Sequence, residues 1–175
     1  MKLINTYIHP DVADLKDPKT FERKAARAVV LKDQEILLIY TKYYDDYTLP
    51  GGGIDENESV EKGLIRELHE ETGAEGIKIL EPIGIYEEYR PYYKGYDQMH
   101  MLSYIYLCDI KALGQAKPEA YEIQNGSVPV WVNIDTAIKH NEDIIKNSPD
   151  SMGQSVVREL ELFKLIKQKY DKKHF

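Results

Sequence analysis

The spacing of hydrophobic and polar residues predicts six strands along the chain. Two aliphatic segments flank the polar turn 32–35, an arrangement typical of a β-hairpin. Pro10 and Pro18 prevent a short N-terminal strand from continuing. Farther along, stretches enriched in Ile, Leu, Val and Tyr have the composition of strands. The predicted strands cover residues 3–8, 25–31, 36–42, 77–89, 99–110 and 128–132.

Other segments have the helical period instead, and Asp135 is expected to cap the second of them. Helices are predicted over 58–72, 134–146 and about 153–170. The buried stripe of the first helix is expected to contain Val60, Leu64, Ile65 and Leu68. The core candidates of the last helix are Val156, Val157, Leu160, Phe163, Leu165 and Ile166. This order of strands and helices predicts an α/β sandwich.

The length and charge of the chain narrow the class of protein. A chain of 175 residues can bury a sizeable core, and we expect one domain over residues 1–175. The net charge of −7 argues against a nucleic-acid polymer as partner, because phosphate backbones bind to basic faces. Cys108 is the one cysteine, which excludes an intrachain disulfide. Without a signal-like N-terminus or a long apolar run, the sequence predicts a cytoplasmic protein that needs no membrane.

Three carboxylates at the end of the first helix indicate a candidate functional site. Glu67, Glu70 and Glu71 lie at helical offsets i, i+3 and i+4, and Gly73 is predicted to end the helix. Negative charge is unfavourable there because the helix C-terminus is the negative end of the helix dipole. Like charges at i, i+4 cost a further ~0.2–0.5 kcal/mol. A hard divalent cation such as Mg²⁺ or Mn²⁺ would compensate, and the alternative is a solvated acidic face.

The wider spacing distinguishes between these two interpretations. From Gly52, five residues lead to Glu58 and seven more to Arg66, and the acidic trio follows before Gly73. This spacing resembles the Nudix box, the MutT-type signature G-x5-E-x7-R-E-U-x-E-E-x-G-U, in which U is apolar. The matching positions are Gly52, Glu58, Arg66, Glu67, Leu68, Glu70, Glu71 and Gly73, and the final apolar position holds the small Ala74. The resemblance implies a Nudix-type α/β/α sandwich with a mixed central sheet.

The same resemblance implies a site that binds Mg²⁺ or Mn²⁺ and hydrolyses a phosphoanhydride. Its expected metal ligands are Glu67, Glu70, Glu71 and a backbone carbonyl near Gly52. The catalytic base is not fixed by the signature: it is a box glutamate such as Glu70, or an acid on a later loop. That loop is predicted at 117–126, where Glu122 and Glu119 are candidates; each is equally interpreted as a solvated loop acid.

Arg66 and Glu58 complete the candidate catalytic set. Arg66 lies one turn before Glu70, so its guanidinium can pair with a carboxylate and fix its rotamer. This structural bridge is favoured over direct contact with phosphate. Glu58, at the start of the helix, favours the helix dipole; the resemblance adds a role near the metal or in orienting Arg66.

Substrate contacts are predicted on two segments. Arg23 and Arg27 are four residues apart in a predicted strand, so they share a face that can meet a phosphate. Tyr89 and Arg90 belong to the tyrosine-rich stretch 86–96, which can stack on a base and contact a ribose. The alternatives are unliganded surface arginines and a hairpin covered by aromatic side chains.

The sequence hypothesis is a metal-dependent pyrophosphohydrolase that acts on a small nucleotide. ADP-ribose or a nucleotide sugar is favoured, and a noncanonical nucleoside triphosphate comes second. The alternative from another class is a Nudix-fold sensor that binds a nucleotide without cleaving it, although a sensor has no need for all three carboxylates. A monomer and a homodimer both remain open.

Overall fold

The computed structural model describes residues 1–92 and 94–174, with side chains up to Tyr170. Its strands are β1 (Leu3–Ile8), β2 (Thr20–Lys32), β3 (Glu35–Thr41), β4 (Asp46–Thr48), β5 (Gly51–Gly53), β6 (Ala74–Glu75), β7 (Lys78–Pro91), β8 (Gln98–Asp109), β9 (Ala112–Leu113) and β10 (Ser127–Asn133). Its helices are α1 (Val60–Thr72), α2 (Ala120–Asn125), α3 (Ile134–Asn147) and α4 (Val156–His174), with a 3₁₀ turn at Pro10–Val12.

Eight strands form one mixed sheet in the order β1-β7-β8-β2-β3-β10. β1 pairs with β7 and β8 pairs with β2 in parallel, whereas β7–β8, β2–β3 and β3–β10 are antiparallel. β4 joins β3, and β5 joins β2, so one edge of β2 pairs with β8 and the other edge is shared by β5 and β3. The predicted α/β class with a mixed central sheet is confirmed.

The alternation of side chains along β2 separates the two layers of helices. Ala26, Ala28 and Val30 face α1 and pack with Leu64 and Leu68. The opposite face carries Val29 and packs against α3 and α4 in a cluster that contains Ile105, Leu162, Phe163 and Ile166. The sheet therefore has a hydrophobic core on both sides. The candidate site lies where the chain passes from β5 toward α1.

Helix α1 begins and ends as its sequence dictates. The hydroxyl of Ser59 accepts the N–H of Lys62 as an N-terminal cap, so the helix starts at Val60 and not at residue 58. Gly73 ends it in the left-handed conformation, with φ of 72°. The predicted burial of Ile65 is wrong, because this side chain is 41% exposed.

The C-terminal helices differ from prediction in detail. Asn133, not Asp135, caps α3, since its side chain accepts the N–H of Asp135. In α4, Val156, Phe163 and Ile166 are fully buried as predicted. Partly buried positions are Val157, Leu160 and Leu165. The sequence prediction missed four buried residues of this helix, Arg158, Glu159, Leu162 and Tyr170. No helix in the described residues is both long and apolar enough to cross a membrane.

Asp46 gives the fold a specific dependence on pH. The residue is 2% exposed, and its burial, with nearby Glu159 and Asp45, raises its pKa to about 7. Between pH 4 and 7 the folded protein keeps a proton that the unfolded chain loses, so stability falls as pH rises through that window. In the parent protein this fall lowers the free energy of unfolding, and we expect Asp46→Asn to abolish about 2–4 kcal/mol of it.

Urea unfolding at pH 5 and pH 8 measures this effect. The variant should gain free energy of unfolding relative to the parent protein at pH 8, and much less at pH 5. Asp143→Asn, at an exposed position of α3, is the matched control. Equal pH dependence in the Asp46 variant and the parent would contradict this assignment.

Candidate active site

The glycine strand β5 forms the floor of the site. Its three residues pair antiparallel with Ala25–Arg27 of β2. Gly51 has φ of 136°, and a Cβ at this residue would overlap the backbone of Ala26. Only glycine therefore allows the chain to run this close to β2 before it turns toward α1.

Two of the three acidic residues of α1 lie directly against this strand. The backbone N–H of Gly51 donates to a carboxylate oxygen of Glu71 over 2.6 Å. The carboxylate of Glu67 occupies the space that a side chain at Gly52 would fill. Because the helix returns over the strand, carboxylates four residues apart meet consecutive glycines.

Arg66 organises the carboxylates on its side of the helix. Its guanidinium lies 2.5 Å from Glu58, 2.7 Å from Glu67 and 3.3 Å from Glu70. It also donates to the carbonyl oxygen of Gly53 over 3.1 Å. The predicted pairing of Arg66 with box carboxylates is therefore present, and it spans both ends of the box.

The pKa values of the acidic residues are shifted in different directions. Hydrogen bonds from Arg66 and from the backbone of Asp55 lower the pKa of Glu58. Burial raises the pKa of Glu67 despite its bond to Arg66. Burial raises the pKa of Glu71 more strongly, and Glu122 adds to that rise. Two carboxylates held beside the glycine strand are thus poorly compensated by the protein itself.

This donor set fits a hard divalent cation. Glu67 and Glu71 offer carboxylate oxygens, and the Gly52 backbone adjoins them. Across the described part of the chain, no three His, Cys, Asp or Glu side chains converge as a ready-made metal cluster. Within the trio, Glu67 and Glu70 both contact Arg66, at 2.7 and 3.3 Å. A cation between Glu67 and Glu71 would relieve the unfavourable burial of their charges.

The predicted loop 117–126 contains the short helix α2. The carboxylate of Glu122 accepts the N–H of Glu119 over 2.6 Å within α2's capping box. The same carboxylate adjoins Glu71, which brings the predicted base candidate to the acidic trio. Glu119 itself is exposed. Lys117 ties this segment to α1, since its N–H donates to the Glu70 carbonyl over 2.7 Å.

The predicted arginines share one face of the sheet. Arg23 and Arg27 alternate onto the face of β2 that also carries Phe21, and Phe21 is paired through Met99 with Arg90 of β7. Arg27 donates to the carbonyl of Gly51, and Arg23 lies beside Gly53. Burial lowers the pKa of Arg27, and burial with neighbouring arginines lowers that of Arg90 to about 10.

Tyr89 lies on the other face of the sheet. Its ring stacks on His100 with centroids 4.4 Å apart, on the sheet face opposite to Arg90. The structure therefore does not bring Tyr89 together with the other predicted substrate residues, because neighbours in a strand point to opposite faces. Tyr92 stacks on Phe21 with centroids 4.8 Å apart, on the arginine face. Tyr93 lies outside the described residues.

The sequence analysis did not predict a buried ionic group that lies behind the arginines. Arg158 of α4 contacts Glu88 at 2.5 Å and Glu159 at 2.6 Å, and all three side chains are at most 1% exposed. Glu159 also accepts the N–H of Leu49, just before the glycine strand. The signal was available in principle, since Arg158 precedes Leu162 by one turn in the apolar stripe.

The fold and this site together define a Nudix hydrolase. The NUDIX domain model matches residues 22–150, and the chain belongs to this family. It is 26% identical over 133 residues to mouse diphosphoinositol polyphosphate phosphohydrolase 3-alpha, covering 74% of this chain and 75% of the relative. The human 3-beta enzyme gives the same identity and coverage.

Solved structures agree on the fold. A NUDIX hydrolase from Nitrosomonas europaea superposes with a TM-score of 0.58 at 18% identity, covering 89% of this chain and 93% of that one. The E. coli ORF135 protein gives 0.52 at 18% identity, covering 86% and 94%. The predicted family and fold are confirmed.

Proposed function

We propose that the protein hydrolyses a phosphoanhydride bond in a nucleoside diphosphate linked to another moiety, with Mg²⁺ or Mn²⁺ as cofactor. The observation that carries this proposal is the placement of Glu67 and Glu71 against the glycine strand, with raised pKa values and no cation of the protein to neutralise Glu71 fully. The proposed unit of activity is the single domain 1–175.

Each residue of the site has a proposed role. Glu67, Glu71 and the Gly52 carbonyl hold the cation, and Glu70 turns to join them. When bound, the cation neutralises phosphate charge and lowers the pKa of water. Arg66, anchored by Glu58, positions the carboxylates. Glu70 is the proposed proton acceptor because its side chain is 39% exposed, against 16% for Glu67. Glu122 orients Glu71, and remains the second candidate for the base.

Three candidate substrate classes are proposed. ADP-ribose or a nucleotide sugar is the first candidate, and a noncanonical nucleoside triphosphate is the second. A diphosphoinositol polyphosphate is a further candidate outside the nucleotides, since the mouse and human relatives are named for it and the arginine face suits a polyanion. The complete carboxylate set argues against a sensor that binds nucleotide without cleavage. The proposed partner is a small molecule, with no role for nucleic acid or membrane, and the subunit is a monomer or homodimer.

A substrate panel tests the proposal. The purified protein is incubated with Mg²⁺ or Mn²⁺ and with ADP-ribose, nucleotide sugars, dinucleoside polyphosphates, oxidised triphosphates or a diphosphoinositol polyphosphate, and products are resolved by chromatography. We expect turnover of one class that is abolished by EDTA. Nucleotide binding without turnover of any compound would replace the hydrolase proposal by the sensor. Turnover confined to the inositol compound would replace the nucleotide class.

A further inference from the structure

Unsatisfied polar atoms collect on one face of the sheet. Among the described residues, four buried side-chain nitrogen or oxygen atoms have no hydrogen-bond partner: Arg27 Nε, Glu88 Oε1, Arg90 Nε and Ser103 Oγ. Buried polar groups are nearly always paired in folded proteins. The Glu88 and Ser103 side chains are at most 1% exposed, whereas Arg27 and Arg90 are partly exposed. The two guanidinium donors, Arg27 Nε and Arg90 Nε, therefore indicate a place where an acceptor from outside the chain can bind.

The strand register shows that these atoms share a face. Ser103 of β8 is paired with Ala25 of β2, which lies between Arg23 and Arg27. Met101 of β8 is paired with Arg23 and, on its other side, with Glu88 of β7. Directly paired residues point to the same side of a sheet. The four atoms thus belong to neighbouring strands of one continuous surface, next to the glycine strand.

The charges on this face are unbalanced. Arg158 is fully engaged by Glu88 and Glu159. Arg23, Arg27 and Arg90 have no ion pair with any carboxylate in the described part of the chain, although the protein as a whole carries a net charge of −7. The strand register places Arg23, Arg27 and Arg90 on one face of the sheet. Burial lowers the pKa of Arg90, and Arg158, Arg27 and Arg23 lower it further, although Glu88 raises it. An anion would compensate this local excess of positive charge.

We propose that Arg23, Arg27 and Arg90 form a subsite for a phosphomonoester group of the substrate, separate from the diphosphate that is cleaved. This inference rests on the proposed function. Arg27 contacts the Gly51 carbonyl and Arg23 lies 2.9 Å from the position of a Cβ on Gly53, so the subsite adjoins the glycine strand. A substrate with its diphosphate at Glu67 and Glu71 would place a further substituent over this face.

A phosphomonoester suits the subsite better than a carboxylate. The group is close to a dianion at neutral pH and offers three acceptor oxygens, whereas a carboxylate offers one charge and two. The three guanidinium groups have no ion pair, and the donors that Arg27 does not use for the Gly51 carbonyl remain available with those of Arg23 and Arg90. Planar forks of donors match the larger charge and the tetrahedral oxygens. Arg158 is the positioning residue, because its bonds to Glu88 and Glu159 hold β7 and α4 behind the cluster.

Titration with inorganic phosphate in EDTA tests the subsite without catalysis. The chain has five arginines, so NMR spectra of arginine Nε–H groups are simple to assign with single Arg→Lys variants. We expect saturable shifts of the Arg27 and Arg90 signals and a much smaller shift of Arg66. Shifts that are equal for all five arginines, or absent, would overturn the proposal.

Variants give an independent measurement. Arg90→Met and Arg27→Met should weaken phosphate binding at least tenfold. Lys146→Met removes one exposed positive charge from α3 and is the matched control, with an expected change below twofold. Arg90→Lys and Arg27→Lys retain the charge but lose the guanidinium, and should still weaken binding several-fold. Equal binding by the parent and both methionine variants would overturn the assignment, whatever the NMR spectra show.

Turnover separates this inference from the proposed function. Matched substrate pairs differ by one phosphomonoester, such as ADP-ribose and its 2′-phosphate, or dephospho-coenzyme A and coenzyme A. We expect at least a tenfold advantage in kcat/KM for the phosphorylated member of one pair, reduced to about one by Arg90→Met. Turnover with equal kcat/KM for both members of every pair, or turnover without a shift of the arginine Nε–H signals, would keep the proposed hydrolase activity and overturn the subsite. Nε shifts without turnover of any compound would support the anion site and overturn the proposed function.

Discussion

Turnover by Glu71→Gln is expected to fall about 10²–10⁴-fold, because a cation that stabilises the transition state by several kcal/mol loses a ligand. The change keeps the shape of the side chain, and the amide oxygen can still accept the Gly51 N–H that Glu71 accepts over 2.6 Å. Burial raises the pKa of this carboxyl in the folded protein. The neutral variant should therefore be at least as stable as the parent protein in EDTA.

Two measurements distinguish loss of the cation from loss of the fold. Steady-state kinetics on the substrate identified by the panel gives the change in turnover, and thermal unfolding with and without Mg²⁺ gives the stabilisation by metal. The variant should lose the metal-dependent rise in melting temperature while it keeps the melting temperature measured in EDTA. Glu75→Gln, exposed on β6, is the matched control and should retain both properties. Turnover within tenfold of the parent would show that Glu71 does not hold the cation.

Arg158→Met is expected to destabilise the protein by about 3–5 kcal/mol, the range for breaking a buried ion pair by removal of one partner. Glu88 and Glu159 are at most 1% exposed, and each would lose the guanidinium that compensates its charge. The free energy of unfolding in urea measures the effect. The denaturant slope should stay constant if both states keep their exposed surface.

A control on the same helix separates buried from exposed pairs. Lys164 contacts Glu142 at 2.6 Å, but both side chains are about half exposed. Lys164→Met should therefore cost less than about 1 kcal/mol. The double variant Arg158→Met/Glu88→Leu should recover part of the loss, since no uncompensated carboxylate remains at position 88. A cost for Arg158→Met no larger than that of the control would contradict a structural role for the buried group.

The sequence by itself determined the family and the position of the acidic trio. The spacing from Gly52 to Gly73 is local, and a helix with 3.6 residues per turn places Glu67, Glu70 and Glu71 together whatever surrounds it. Gly73 ends the helix as predicted, because a residue without Cβ adopts the left-handed conformation at no steric cost. Most strands were also predictable, since their aliphatic runs bury side chains on both faces of the sheet.

Only the tertiary structure decided how those acids differ from one another. Glu71 meets Gly51 while Glu70 turns toward Arg66, and this depends on how α1 returns over the glycine strand. The N-terminal cap of α3 also could not be chosen from the sequence alone. Asn133 and Asp135 are both suitable capping residues, and the path of β10 into α3 selected Asn133.

The arginine face shows the limit most clearly. Period-two alternation within β7 separates Tyr89 from Arg90, but the face that meets the site is fixed by pairing with β8 and, through it, with β2. Arg158 arrives from α4, more than 60 residues farther along the chain than Arg90. Local sequence carries the period of an element and the chemistry of its side chains. The contacts between distant elements, and with them the burial and charge of the site, exist only once the sheet and both helix layers are assembled.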